Sequence, residues 1–184
     1  MSTENQMDPR EKKALEDIRA HGCHVIHVLE EGAFPPFSYS VGIQQTSRVT
    51  EVMVVGLNRD LAHFIVNEYN RRVRTGDEFL SGKSYSGFLE GFDVRFERVS
   101  KSHYATYLGW DRWLYGGDGF EAVQVIYPTT DGVWPWDPTV PNWFKERQPI
   151  LNDHAPQAKG AATPASRGLL PFTVPSGGRT RAIE

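Results

Sequence analysis

The fold is decided by one stretch of sequence, Glu51-Val52-Met53-Val54-Val55-Gly56-Leu57-Asn58-Arg59-Asp60-Leu61. Its first half is a continuous apolar run, which is typical of a strand buried on both faces. Asn58 is a favourable N-cap, and a helix is predicted to follow it and to end at Thr75-Gly76. The apolar positions of this helix fall at helical spacing: Leu61, Phe64, Ile65, Tyr69 and Val73. A buried strand that leads into an amphipathic helix predicts a sheet with a helix packed on it.

The chain before this stretch predicts a helix and a β-hairpin. Asp8-Pro9-Arg10-Glu11 combines an N-cap, a proline at the first helical position and a capping-box glutamate, and Gly22 is placed to end the helix. Residues 23–29 are apolar on both faces, which favours a strand in the centre of the sheet. Residues 37–43 alternate as a second strand, and the turn residues between the two strands predict a hairpin.

Two further strands and one long helix are predicted downstream. Residues 92–99 alternate apolar and charged side chains, as a half-exposed strand does, and residues 121–127 are predicted to be the last strand. Ser100 or Ser102 could cap a helix that runs through Leu114. Residues 81–86, which include Gly82, are typical of a loop.

These elements predict an α+β protein, a single domain with a mixed or mainly antiparallel sheet of about five strands and with three helices. The 184 residues fit one domain of ordinary size. The domain is predicted to span residues 8–151, after a flexible N-terminus at residues 1–7. Residues 152–184 are rich in Pro, Gly, Ala, Ser and Thr, and we predict that they form a disordered C-terminal tail.

Composition and charge exclude several kinds of partner. The net charge is −3, and the one basic cluster, Arg71-Arg72-Val73-Arg74, falls in the last turn of a predicted helix, so no nucleic acid is expected as a partner. The longest apolar run, residues 52–57, is far too short to span a membrane. A single cysteine, Cys23, and an N-terminus without an apolar leader predict a cytoplasmic location.

Residues that commonly bind zinc crowd together near the first predicted strand: His21, Cys23, His24 and His27. On a strand, however, His24 points away from Cys23 and His27, and no second ligand cluster follows at zinc-finger spacing. We therefore expect no metal site. We also expect no cofactor, because the chain has no glycine-rich phosphate loop; a flavin stacked on its tryptophans is a weaker alternative.

Two aromatic segments offer the best candidate pocket. Residues 37–43 place Tyr39 near Gly42, where a ligand could approach the backbone closely, although edge-strand packing would also explain the glycine. In residues 133–138, two tryptophans flank a proline and can form a pocket wall or only a plug over the core. No Gly-x-Ser-x-Gly motif activates a serine nucleophile. The candidate pocket residues are Tyr39, Ser40, Gly42, His103, Gln124, Trp134, Trp136 and Asp137.

Five short motifs follow one another along the chain: Phe37-Ser38-Tyr39-Ser40-Val41-Gly42-Ile43, residues 51–57, Gln124-Val125-Ile126-Tyr127-Pro128, Gly132-Val133-Trp134-Pro135-Trp136 and Gln148-Pro149-Ile150-Leu151. Their order and spacing resemble the bacterial domain of unknown function 4262 family over roughly residues 21–151. The resemblance marks the positions of Tyr39, Gly42, Gln124, Pro135 and Trp136. It implies no particular activity, cofactor or catalytic set.

The sequence favours a protein-binding or regulatory module, of which an immunity protein is one example, because aromatic residues are abundant and no catalytic constellation is present. The alternative is a small enzyme or ligand-binding domain whose aromatic pocket lies between residues 37–43 and 133–138. Trp110-Asp111-Arg112-Trp113 brings acid, base and aromatic character near His103, but any surface helix offers such groups. The sequence leaves open whether the protein is an enzyme, and it predicts a protein or a small molecule as the partner.

Overall fold

The computed structural model describes residues 7–154, and within them one sheet carries six strands. The strands are β1 His24–Val28, β2 Phe37–Val41, β3 Glu51–Val55, β4 Lys83–Leu89, β5 Phe92–Arg98 and β6 Ala122–Ile126. The helices are α1 Pro9–His21, α2 Ile43–Ser47, α3 Arg59–Arg74, α4 Tyr104–Tyr107, α5 Gly109–Tyr115 and α6 Asn142–Arg147, with a 3₁₀ turn at Lys101–His103 just before α4.

The sheet is mixed. Its strands lie in the order β1-β2-β3-β6-β5-β4, and every neighbouring pair is antiparallel except β3 and β6, which are parallel. The α+β class and the mixed sheet are therefore confirmed. The counts differ, because the described residues form six strands and six helices rather than about five and three. The additional strand is β4, which pairs with β5 although its first half is predicted to be a loop.

β1 lies at the edge of the sheet, so its predicted central position is wrong. The predicted hairpin is confirmed, since β1 pairs antiparallel with β2 along its whole length. β1 is apolar on both faces for another reason: α1 and α3 both contact it, and its residues join the apolar clusters of both faces. Cys23 and Val25 are buried beneath α3, whereas Val28 and Leu29 emerge at the end of the strand.

The long helix predicted to run from Ser100 or Ser102 to Leu114 is interrupted at Leu108. This residue has φ −116° and ψ 45°, outside the helical region, and it separates α4 from α5. The interruption frees the backbone N–H of Trp110 from a helical bond, and the hydroxyl of Tyr39 on β2 accepts it at 3.3 Å. The break therefore ties α5 to the sheet.

Each face of the sheet buries an apolar cluster. On one face, Ile65 and Tyr69 of α3 pack in the same cluster as Val54 of β3. On the other face, residues of α1, α4 and α5 pack over Tyr39 and Met53. The predicted stripe of α3 and its cap are confirmed. The N-cap side chain of Asn58 accepts a hydrogen bond from the N–H of Leu61 at 2.9 Å.

Only part of each predicted end of the domain lies within the described residues. The capping box of Asp8 and Glu11 is confirmed. Past residue 151, Asp153 still contacts the domain, because it accepts a hydrogen bond from the Ser102 hydroxyl at 2.6 Å. The predicted tail from residue 155 onward and residues 1–6 of the predicted flexible N-terminus lie outside the described residues. Across residues 7–154, we find no helix with the length and apolar character that crossing a membrane requires.

Gly42 allows α1 to pack against the corner between β2 and α2. It has φ +103°, and a Cβ placed on it would lie 2.7 Å from Cγ1 of Ile18 on α1. Gly91 is a matched comparison, since its φ is +79° but nothing lies within 4 Å of its Cβ position.

We expect Gly91→Ala to lower the free energy of unfolding by about 1 kcal/mol, which is the cost of a left-handed backbone at a residue with a side chain. Gly42→Ala should lower it by about a further 1–3 kcal/mol, because α1 must move away. Urea unfolding of both variants measures the difference. Equal losses would contradict a close contact between Ile18 and Gly42.

Candidate functional site

Tyr39 contributes to the core between the sheet and the helices that cover it. It is 2% exposed, and its ring stacks on Phe37 with centroids 6.1 Å apart. Burial raises the pKa of its hydroxyl, which stays protonated and bonded to the N–H of Trp110. Tyr39 therefore fixes α5 against β2 and offers no polar group to a ligand in this conformation.

Gln124 attaches the segment that follows α6 to the sheet. Its amide nitrogen donates to the carbonyl of Pro149 at 2.8 Å, and its amide oxygen accepts from the N–H of Leu151 at 2.9 Å. Gln148 makes the same pair of bonds with the backbone N–H and carbonyl of Tyr127, both at 2.9 Å. These amides satisfy buried backbone groups as a neighbouring strand would. Gln124 thus has a structural role.

Trp134 and Trp136 are half-buried and stack on each other, with ring centroids 5.0 Å apart and planes inclined by 7°. The guanidinium of Arg95 on β5 lies 5.4 Å from the centre of the Trp136 ring. Asp137 accepts hydrogen bonds from the N–H and the hydroxyl of Thr139, at 2.8 Å and 2.6 Å, and so stabilises the turn that follows.

The predicted pocket residues occupy separate places in the fold. Strands β3 and β6 lie between β2, which carries Tyr39, and β5, on which Trp136 packs. Residues 149–151 are held over β6 between them. His103 lies elsewhere, with its Nε2 2.9 Å from a carboxylate oxygen of Asp153. Of the predicted set, the structure brings together Ser40 and Gly42, which meet at a buried carboxylate.

That carboxylate is Glu51, whose side chain is fully buried. Its Oε1 accepts hydrogen bonds from the N–H groups of Gly42 and Gln44, at 3.0 Å and 2.9 Å, and from the hydroxyl of Tyr115 at 2.6 Å. Its Oε2 accepts a bond from the hydroxyl of Ser40 at 2.6 Å. Burial raises the pKa of Glu51, and the surrounding donors act in the opposite direction because they stabilise the charged form.

A second buried carboxyl, Asp111 of α5, faces the same region. It is fully buried, and neither of its oxygens has a hydrogen-bond partner among the described residues. Burial raises its pKa well above the ordinary range, and the negative charge of Glu51 raises it further. The pKa of Asp111 is therefore raised more strongly than that of Glu51, whose four donors stabilise its charged form. Since both groups are closed to solvent, neither can touch a substrate in this conformation.

Sequence reasoning missed this cluster as a site. Glu51 stands at the first position of an otherwise apolar strand, and Asp111 stands between Trp110 and Trp113. A charged residue in such apolar surroundings signals a buried group that needs partners. Tyr115 gives no comparable signal, because nothing in its neighbourhood distinguishes it from an ordinary core aromatic.

A cleft of about 600 Å³ opens at the opposite end of the sheet, where the parallel strands β3 and β6 end. Residues that directly follow these strands line it, Gly56 after β3 and Tyr127 after β6. Its apolar walls are formed by Leu57, Leu61, Val133, Val140, Trp143 and Phe144. Polar groups at the cleft include Asn58, Thr130 and Arg147.

Helix α6 forms one wall of the cleft, and Gly56 holds that wall in place. Its φ is +88°, and a Cβ on it would overlap the carbonyl oxygen of Arg147 and the hydroxyl of Tyr127. The Nε of Arg147 donates to the carbonyl of Gly56 at 2.9 Å, and the Tyr127 hydroxyl donates to the carbonyl of Val55 at 2.8 Å. The backbone at the end of β3 thus holds α6 in place by direct contact.

Two histidines meet near the edge of the sheet. Nδ1 of His27 lies 2.7 Å from the hydroxyl of Ser38, and its Nε2 lies 3.1 Å from Nδ1 of His63 on α3. Burial and the neighbouring His63 ring lower the pKa of His27 to about 4, so this ring is neutral at pH 7. His24 points away from His27, as the strand pattern predicts, and lies 2.7 Å from Asp17. Within residues 7–154, no three His, Cys, Asp or Glu side chains converge as a metal site.

Residues 17–141 match a family model described as "Domain of unknown function (DUF4262)". The chain belongs to this family. The DUF4262 match includes Glu51, Asp111 and the histidine pair, and it ends before α6, so the Trp143 wall of the cleft lies outside the matched range. Neither a curated protein nor a solved structure matches the chain.

The buried carboxyl of Asp111 predicts a pH dependence of stability. Because its pKa is raised in the folded state, the folded protein keeps a proton that the unfolded chain releases above about pH 4. The stabilisation that Asp111 gives the folded state is therefore complete below that pH, and it falls as the pH rises towards the pKa of Asp111 in the folded state. We expect Asp111→Asn to raise the free energy of unfolding at pH 7 by on the order of 1–3 kcal/mol, and this gain should shrink as the pH approaches 4.

Glu51→Gln is the matched control for this measurement. The new amide nitrogen cannot accept the bonds that the carboxylate accepts, so we expect the free energy of unfolding at pH 7 to fall by roughly 2–4 kcal/mol. Urea unfolding between pH 4 and pH 8 measures both variants. If Asp111→Asn left the slope of stability against pH unchanged, a buried protonated Asp111 would be ruled out.

Proposed function

We propose that this DUF4262 protein binds a small, largely apolar molecule in the cleft at the ends of β3 and β6. The observation that carries the proposal is the cleft itself, whose volume is about 600 Å³. Sites for small molecules commonly occupy about 300–1,000 Å³ and combine apolar walls with a few placed polar groups. The lining of this cleft has that composition.

The place of the cleft in the fold supports the same proposal. In open sheets with parallel strands, ligands bind beyond the carboxyl ends of those strands. β3 and β6 are the parallel pair, β3 leads into α3, and β6 leads into the loop before α6. The cleft lies between these two connections, and its walls come from both.

The side chains at the cleft favour a neutral ligand with a flat or aliphatic body. Trp143 is 62% exposed, and its ring stands perpendicular to that of Phe144, so one indole face is available for stacking. Asn58 and Thr130 can fix the orientation of a few polar atoms. Arg147 already binds the carbonyl of Gly56 and the carboxylate of Glu30, so an acidic ligand would have to compete with Glu30.

A substitution that fills the cleft tests the proposal. Thr130→Trp places a large ring among the lining residues, whereas Thr106→Trp places the same ring at an exposed position of α4 away from the cleft. We expect native mass spectrometry of protein purified from its own host to show a bound small molecule. The Thr130→Trp variant should lose this molecule, and the Thr106→Trp variant should retain it.

Titration with indole and naphthalene, followed by amide NMR shifts, provides an independent readout. Shifts confined to the cleft residues and abolished by Thr130→Trp are expected. Purification without any bound molecule, together with spectra that stay unchanged up to the solubility limit of each probe, would exclude ligand binding in the cleft.

Exposed apolar side chains at the β1–β2 hairpin support a second candidate, the protein-binding module that the sequence favours. Leu29 is 77% exposed and Phe34 is 48% exposed, and the Phe34 ring lies 6.0 Å from that of Tyr107 on α4. Exposed apolar side chains that group on a surface are typical of an interaction site. Among residues 7–154, no strand pairs with the outer edge of β1, and an edge of this kind can pair with a strand of another protein.

Charge substitutions on this hairpin test the second candidate. The double substitution Leu29→Lys and Phe34→Lys should abolish the stoichiometric recovery of a partner protein from the native host. Leu80→Lys changes an apolar residue of comparable exposure, 52%, elsewhere on the surface and should leave recovery unchanged. Equal recovery with all three proteins would show that the hairpin is not the binding surface.

A further inference from the structure

We propose that His27 of β1 and His63 of α3, whose ring nitrogens lie 3.1 Å apart, bind a divalent transition-metal ion such as Zn²⁺ or Cu²⁺. Imidazole nitrogen is a preferred ligand of both ions. The proposed site is separate from the cleft. It also differs from the cluster of His21, Cys23, His24 and His27 considered from the sequence, because His63 comes from another element.

The separation of the two nitrogens fits a shared metal ion. For metal–nitrogen bonds of about 2.05 Å, a spacing of 3.1 Å between Nε2 of His27 and Nδ1 of His63 gives an N–metal–N angle of about 98°. This value lies between the angle of about 90° in square-planar sites and about 109° in tetrahedral sites. The two nitrogens therefore have the spacing that a shared metal ion requires, and rotation of the two rings would turn their lone pairs towards the ion.

Ser38 selects the nitrogen of His27 that faces His63. Its hydroxyl oxygen lies 2.7 Å from Nδ1 of His27. Metal-binding histidines are commonly held in this way, by a hydrogen bond to the nitrogen that does not bind the metal. In the metal-bound state, Nδ1 of His27 carries the ring proton and donates it to Ser38, and His63 carries its proton on Nε2. Each ring then carries a single proton, on the nitrogen that does not bind the metal.

Ser38, His27 and His63 could also suggest a serine hydroxyl that acts as a nucleophile and is activated by imidazole. Ser38 is only 3% exposed within β2, so its hydroxyl cannot reach a substrate carbonyl. The two imidazole rings are half-buried, and Nε2 of His63 is enclosed. Burial of Ser38 therefore argues against nucleophilic catalysis at this place.

A carboxylate is available near the pair. Asp60 precedes His63 by three residues on α3, which places both on one face of the helix. The charges of Asp60 and of its neighbour Arg59 both act on His27. Asp60 can supply a third ligand after a change of rotamer, and water completes the coordination.

Calorimetric titration of the untagged 184-residue chain with ZnCl₂ tests the proposal, with Cu²⁺ electron paramagnetic resonance as a second readout. We expect one ion per chain and a copper spectrum with coupling to two nitrogens. His27→Gln and His63→Gln should each weaken binding by at least about 100-fold, because loss of a residue that only orients a ligand already costs about 10–100-fold. Ser38→Ala, which removes the orienting hydroxyl, should weaken it by about tenfold.

His103→Gln is the matched control, since this histidine binds Asp153 at another part of the surface. His24→Gln tests the neighbouring histidine on the opposite face of β1. Both variants should bind the ions as the parent chain does, and circular dichroism should show the same fold for every variant. The proposal is overturned if the parent chain binds neither ion, if binding survives His27→Gln and His63→Gln, or if His24→Gln abolishes it.

Discussion

The parallel pairing of β3 with β6 is the constraint on which the rest of the structure depends. It joins two antiparallel halves, β1-β2-β3 and β6-β5-β4, with Met53 opposite Gln124. Parallel neighbours cannot be linked by a tight turn, so the chain must leave β3 and return to the same end of the sheet. That connection carries α3 to one face and α4 and α5 to the other. One strand pairing therefore accounts for the positions of α3, α4 and α5, and α1 adds to the second layer from the amino-terminal part of the chain.

The two ends of this pair differ in chemistry. At the amino end, the N–H of Glu51 begins the ladder to β6 by bonding the carbonyl of Glu121, while its carboxylate collects donors from β2, α2 and α5. Burial of this charge costs free energy. All of its hydrogen-bond donors can reach the carboxylate in only one register of the strands, so the buried charge favours that register. At the carboxyl end, apolar side chains and three aromatic rings surround an open cleft. The polar end fixes the alignment of the strands, and the apolar end is left available for binding.

Local signals in the sequence were sufficient to predict the elements whose stabilising contacts join residues within one or two helical turns of each other. The capping box at Asp8 and the Asn58 cap involve residues two or three positions apart, and both were predictable. The position of β1 was not, because its two apolar faces are covered by helices rather than flanked by strands. The carboxyls of Glu51 and Asp111 come together only after the long connection has folded, and no spacing in the sequence encodes that. The same holds for the cleft, whose walls come from segments far apart in the chain.

One consequence concerns Cys23, the only cysteine in the sequence, which is fully buried where β1 meets α3. Burial raises the pKa of its thiol, and the thiolate is the form that reacts with alkylating reagents. The folded chain therefore protects this sulfur both by enclosure and by protonation. The rate at which this thiol is alkylated therefore depends on how often the corner of the sheet opens. Measuring that rate in the native protein reports the frequency of the opening motion.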